Sequence, residues 1–336
     1  MKRGLKLVVL GGVVVFAGCS ESPTGSQSSQ SQVPTPLSAT SAANLGDHVH
    51  ILQTTFALNL ANLEGPENRA NSKAGPSNTG IFYHNGPVIL TPKIVAIYWA
   101  GSTIYNGGPA PGATGTGTQD GSLIGYFLSH LGGSPYWGIN TTYYNGSLTH
   151  IQNSLAYTGF WAANVNVPAS GTSVSDAGVQ GIITTGFSSG KFSYDANTIY
   201  AVFSANGVNL GGGFGTQYCA YHGQFTWNGN DVKYAVMPYD YQFPSACSAL
   251  SGSPNNDFAA DAEVNTLAHE TEEFATDPDL TAWYDRRGYE NADKCAWTFG
   301  TTFTSNGATA NMTLGSKSFL VQRNWKNAGS GGCFMS

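Results

Sequence analysis

His269, Glu270 and Glu273 are the residues best placed to do chemistry. They lie in Val264-Asn265-Thr266-Leu267-Ala268-His269-Glu270-Thr271-Glu272-Glu273-Phe274. Leu267, Ala268, Thr271 and Phe274 repeat there at helical spacing and predict one buried stripe. On a helix, His269 and Glu273 project from one face, with Glu270 one step round. Two ligands on one face beside a free carboxylate suit metal-assisted hydrolysis: a divalent cation acidifies a bound water and Glu270 takes its proton. The pattern is His-Glu-x-x-His with the second His replaced by Glu. The replacement weakens the signal, because glutamates are common on helices. The competing expectation is a helix end with three surface acids and one hydrogen-bonded His.

Catalytic zinc uses three protein ligands and one open position, so a third ligand must come from beyond the helix. Glu290 and Asp293 follow Glu273 by 17 and 20 residues. By analogy with gluzincin-type metallopeptidases, Glu290 is assigned as ligand and Asp293 as the support of a His, the two being exchangeable. The alternative is that both are turn residues placing Cys295. His222, three residues after Cys219, is assigned as a transition-state donor or fourth ligand, against a plain structural role. Tyr284 is a weaker candidate for an oxyanion donor. The expected cofactor is Zn²⁺, with another divalent cation as the alternative. An oxygen-rich ligand set acidifies water less than three His, which favours slow hydrolysis or a harder ion such as Mn²⁺ or structural Ca²⁺.

These residues need a scaffold. Asn256 or Asp257 is expected to cap the helix, and Pro278 to stop it soon after Thr276. Lys93 to Trp99 is the most apolar run of the mature chain and predicts a central buried strand. Ile199 to Phe203 predicts a second buried strand, and Val232 to Pro238 a third of alternating character. Leu123 to Leu131 and Asp176 to Thr185 predict helices. Asn85-Gly86, between Ile81-Phe82-Tyr83 and Val88-Ile89-Leu90, predicts a hairpin. Residues 101–121 form a Gly/Pro/Thr loop of the kind that covers sites. Residues 48–62 alternate without turn signals and fit either a strand or a helix. Gly186-Phe187-Ser188-Ser189-Gly190 fits a nucleophile elbow in letters only, because a helix precedes it and a strand follows. Strands interleaved with helices predict one α/β or α+β domain.

The first residues read as an export signal. Lys2, Arg3 and Lys6 precede the apolar run Leu7 to Ala17, which ends Phe16-Ala17-Gly18-Cys19, a lipobox-like sequence. Residues 1–19 are taken as a lipoprotein-type signal, with Cys19 the expected membrane anchor through lipid. Residues 20–80 are taken as a Ser/Thr/Pro/Gln-rich tether and N-terminal extension, and 81–336 as the globular domain. Lipid on Cys19 leaves four of the five cysteines to pair in an oxidising compartment. Of three possible pairings, the nearest-neighbour one is favoured: Cys219–Cys247 and Cys295–Cys333. A composition with 43 Gly and only 10% charged residues also suits an exported, loop-rich protein. A net charge of −6 without any basic run gives no reason to expect a nucleic-acid partner.

Several segments together resemble the EXORDIUM, or phosphate-induced protein, family. They are Tyr83-His84-Asn85-Gly86-Pro87-Val88-Ile89-Leu90, Ile97 to Gly101, Leu131 to Trp137, Tyr218 to Gly223, His269 to Glu273 with Thr276-Asp277-Pro278 and Ala282-Trp283-Tyr284, Glu290 to Cys295, and Phe319 to Cys333. The likeness runs in order over about residues 81–336 and implies secretion. The lipobox and tether depart from it and point to bacterial export, and Asp277 stands where the family commonly has Asn. The combined expectation is an exported, zincin-like single domain with a mixed central sheet and a HExxE helix, a metal-dependent hydrolase acting most plausibly on peptides. The alternative is a non-catalytic module binding cell-wall glycan, favoured by 17 Tyr and 7 Trp.

Overall fold

Lys93 to Trp99 forms a strand near the middle of a seven-stranded sheet, as its apolar run predicts. The computed structural model describes residues 49–54, 80–210 and 213–336. The sheet contains β1 (Val49–Gln53), β2 (Lys93–Trp99), β3 (Thr114–Gly115), β4 (Ala156–Trp161), β5 (Thr198–Ser204), β6 (Tyr218–Trp227) and β7 (Asn230–Met237). Their order across the sheet is β1-β6-β7-β5-β2-β4-β3. The inner strands β7, β5, β2 and β4 run parallel; β3 pairs antiparallel at one edge, and β6 and then β1 at the other. This is a mixed α/β fold with a large mixed sheet.

Alternation along the strands divides the core into two layers. In β2, Ile94, Ala96 and Tyr98 enter one layer, and Val95, Ile97 and Trp99 the other. Helix α1 (Leu123–Leu131) and helix α3 (Phe258–Thr276) belong to the first layer; α2 (Asp176–Ser188) packs on the second. Short two-stranded hairpins at 303–310, 312–319 and 324–334 follow in the C-terminal part.

Helix α3 is capped by Asp257, whose Oδ1 accepts from Ala260 N at 3.2 Å. It stops at Thr276, two residues before Pro278. Its environment corrects the expected single stripe: every residue from Ala259 to Thr276 is buried. The helix lies against β6 and β7 and also contacts α1, so no face is left for water. Its acids are therefore interior groups, not a solvated rim.

Two other expectations change. Asn85-Gly86 does not join a hairpin. Phe82–Tyr83 pairs instead with Trp283–Tyr284, and His84 N donates to Ala282 O at 2.6 Å. Asn85 has φ 71°, and a Cβ on Gly86 would sit 2.4 Å from the Thr281 backbone. The Gly is thus required by a distant strand pair. The segment 49–54, grouped by sequence with the N-terminal extension, is built into the sheet through β1. Both expected disulfides, Cys219–Cys247 and Cys295–Cys333, are present. The signal segment, Cys19 and most of the tether lie outside the described residues.

Candidate metal centre

Two strands, a helix and the loop after it bring seven chemically capable side chains together. On β6, Cys219 and Tyr221 enter the α2-side layer and Ala220 the α3-side layer. Alternation then turns His222 towards α3. On β1, Val49 and Ile51 enter the α2-side layer, and His50 is the direct cross-strand partner of His222. The two imidazoles sit side by side, ring centroids 5.7 Å apart. Helix α3 supplies His269, Glu270 and Glu273. The loop after α3 supplies Glu290 and Asp293. That loop is held by the Asp285 carboxylate, which accepts from Arg287 N at 2.8 Å and Tyr289 N at 3.0 Å, and by the Cys295–Cys333 bridge.

Glu273 is the hub. Its Oε1 lies 3.0 Å from His269 Nε2 and accepts from Asp293 N at 3.0 Å. Its Oε2 lies 3.5 Å from His222 Nδ1. Asp293 Oδ1 is 3.6 Å from His269 Nε2, while its Oδ2 accepts from His50 Nε2 at 2.6 Å. His222 Nδ1 is 3.0 Å from Glu270 Oε2, and Glu290 Oε1 lies 3.7 Å from His222 Nε2 and 3.5 Å from His50 Nδ1. Three overlapping groups have ligand atoms within 4.8 Å of one another: His269/Glu273/Asp293, His222/Glu270/Glu273 and His50/Glu273/Glu290.

One carboxylate oxygen each of Glu270, Glu273 and Glu290 is buried without a hydrogen-bond donor. Buried oxygens of this kind cost about 1–3 kcal/mol each when nothing replaces their water. Gln322 adds an orienting contact. Its amide nitrogen sits 2.9 Å from His269 Nδ1 and donates to Ala292 O at 2.8 Å. This contact leaves Nε2 as the ring nitrogen that faces Glu273 and Asp293.

Among themselves these groups share out charge by placing protons. Burial pushes Glu270, Glu273 and Glu290 up, and neighbouring carboxylates add to the shift. Burial works against the charged form of His50, but the Asp293 charge and hydrogen bond outweigh it and push His50 up to about 9. His269 rises for the same reason through Glu273. His222 is held low by burial and by its two imidazole neighbours. Asp293 stays low, since His50 and His269 outweigh its own burial. The cluster meets solvent mainly at the edge strand, where the His50 side chain is 14% exposed and Asp293 7%. An open cavity of about 330 Å³ lined by Lys93, Lys191 and Asp195 shares no residue with the cluster.

All six residues singled out from sequence therefore sit in one cluster. Asp293, rather than Glu290, stands beside His269, while both acids lie close to Glu273. Glu290 faces His50 and His222 instead. Tyr284 stacks on His84, ring centroids 3.7 Å apart, at the short strand pair. Asp277 Oδ1 accepts from Thr281 N and Ala282 N, each at 2.6 Å, and so holds the turn after α3. Sequence reasoning missed His50 and Gln322. The alternation in Val49-His50-Ile51 was the available signal for His50; its pairing with β6 was not visible.

A mixed α/β sheet with a buried His–carboxylate cluster beneath its principal helix defines the class. The conserved region described as "Phosphate-induced protein 1 conserved region" matches residues 132–318, and the chain belongs to that family. His222, His269, Glu270, Glu273, Glu290 and Asp293 fall within the match; His50 and Gln322 lie outside it. Protein EXORDIUM-like 3 from Arabidopsis thaliana is 31% identical over 121 residues, 31% of this chain and 36% of that protein. The chain thus spans about a third of that relative's length. No solved structure matches.

Proposed function

We propose that this is an exported protein whose cluster holds a divalent cation, Zn²⁺ in the first instance, and uses it for metal-dependent hydrolysis of peptides. The observation that carries the reading is the convergence of His269, Glu273 and Asp293 within 3.6 Å contacts, beside Glu270 and with buried carboxylate oxygens left without donors. A cation supplies what those oxygens lack, and a bound water would be acidified towards about pKa 7. Glu270, paired with His222, is placed to take its proton. The zincin-like description rests on this helix chemistry and not on any matched fold. Export is supported by the two disulfides and the leader sequence. No helix among the described residues is long and apolar enough to cross a membrane. Attachment through lipid on Cys19 is part of the proposal, and mass spectrometry of the mature N-terminus tests it. The main test is hydrolysis of a peptide library by the metal-loaded chain and by Glu270→Gln. Equal rates would remove the enzyme reading.

Burial favours a second reading. His269, Glu270 and Glu273 are all 0% exposed, which suits a cation that braces the helix against the sheet. The protein would then act through its surface as a glycan-binding module. Tyr241 and Phe258, 39% and 45% exposed with rings 5.5 Å apart, offer a stacking platform. A glycan array without hits would discard this reading.

A further inference from the structure

We infer that the cluster is built for two divalent cations bridged by Glu273, an inference that rests on the cation reading above. The two oxygens of Glu273 face different imidazoles. Oε1 points to His269 and the Asp293 side; Oε2 points to His222 and has no hydrogen-bond donor although the residue is fully buried. The two sides carry separate donor sets, His269 with Asp293 and His222 with Glu270, and both include Glu273. A single ion with its usual four to six ligands leaves much of this set idle.

Charge points the same way. Glu270, Glu273, Glu290 and Asp293 form a four-carboxylate set; with His50 donating to Asp293, one divalent cation still leaves the buried set net negative, and a second removes that deficit. Glu290 lies near both His50 and His222, so it belongs with the second ion. His50 donates to Asp293 from the solvent side and fixes the first. Such a pair would supply a water of lowered pKa and stabilise both the attacking and the leaving oxygens of a hydrolysis. In this arrangement Glu270 would hold the second ion through the oxygen beside His222 and keep its other, donor-free oxygen for the proton that the water releases.

Stoichiometry separates the possibilities. The full mature chain is stripped with chelator, titrated with Zn²⁺ by calorimetry, and its bound metal counted by mass spectrometry. Two ions per chain are expected, falling to one in Glu270→Gln and one in His269→Ala. One ion in the wild type, retained in Glu270→Gln, overturns the two-ion inference and leaves the single-cation reading intact. No ion in the wild type overturns both. Mn²⁺ loading of the unaltered wild type guards against misfolded variants: an exchange-coupled spectrum is expected, and an isolated-ion spectrum at saturation refutes the pair.

Discussion

Glu263, six residues before His269 on α3, allows the interior environment of this helix to be tested without any cation. It is fully buried beside Asp240, whose backbone N donates to Glu263 Oε2 at 3.2 Å. Asp240 Oδ2 accepts from Thr266 Oγ1 at 2.7 Å. Tyr105 and Tyr239 also face the pair, and no ion pair to either carboxyl occurs among the described residues. Burial pushes Glu263 up from 4.5 to about 8, and Asp240 rises too, through burial and the Glu263 charge. An acid raised in the folded state binds a proton that the unfolded chain has released. Its stabilising contribution is complete below about pH 4.5 and is lost as pH rises through about 8. At about 1.4 kcal/mol per pH unit, that window is worth of the order of 5 kcal/mol. Glu263→Gln keeps an acceptor for Asp240 N and removes the titration. Urea melts from about pH 5 to about pH 9 should show the wild type losing stability steeply and the variant along a clearly flatter line. Asp240 keeps a slope of its own in the variant. Parallel profiles would mean that Glu263 is not an interior acid, and the account of α3 would be wrong.

Three further outcomes follow from the site. Replacing Cys295 and Cys333 together by Ser releases the loop presenting Glu290 and Asp293; closure over a 38-residue separation predicts a loss of about 4 kcal/mol in denaturant melts, with weaker cation uptake by calorimetry. Unchanged uptake would show that the bridge does not position the acids. Glu270→Gln should keep a cation at His269, Glu273 and Asp293 while any peptide hydrolysis falls about 10²–10⁴-fold. His50→Ala should weaken Zn²⁺ binding about 10–100-fold, as loss of an orienting partner does; an unaltered dissociation constant would reduce His50 to packing.

Local signals carried much of this fold. The cap at Asp257, the stop before Pro278 and the buried run Lys93 to Trp99 all express short-range rules, and the structure keeps them. The nearest-neighbour cysteine pairing also holds. Long-range facts were hidden. His50 gains its place only through its register with His222 across β1 and β6. Asn85-Gly86 carries hairpin letters, but Trp283–Tyr284 takes the neighbouring strand, so tertiary pairing overrides the local turn signal. Surface acids were the competing expectation for Glu270, Glu272 and Glu273, because helix surfaces usually carry them. Here the C-terminal segment closes over the helix: Asn324 Nδ2 donates to Glu272 Oε2 and Gln322 reaches His269. Glu290 and Asp293 were left exchangeable by their spacing alone; in the fold Asp293 lies beside His269 and Glu290 beside His222 and His50.

Metal content of the chain, purified without chelator and then melted with and without EDTA, tests the central claim most directly. Saturation at about 100 times the dissociation constant predicts about 2.7 kcal/mol of added stability, roughly a 5 °C fall in Tm on chelation, with at least one equivalent of bound divalent metal. A chain that carries no metal, takes up none from added Zn²⁺ or Mn²⁺, and melts identically with EDTA would contradict the account.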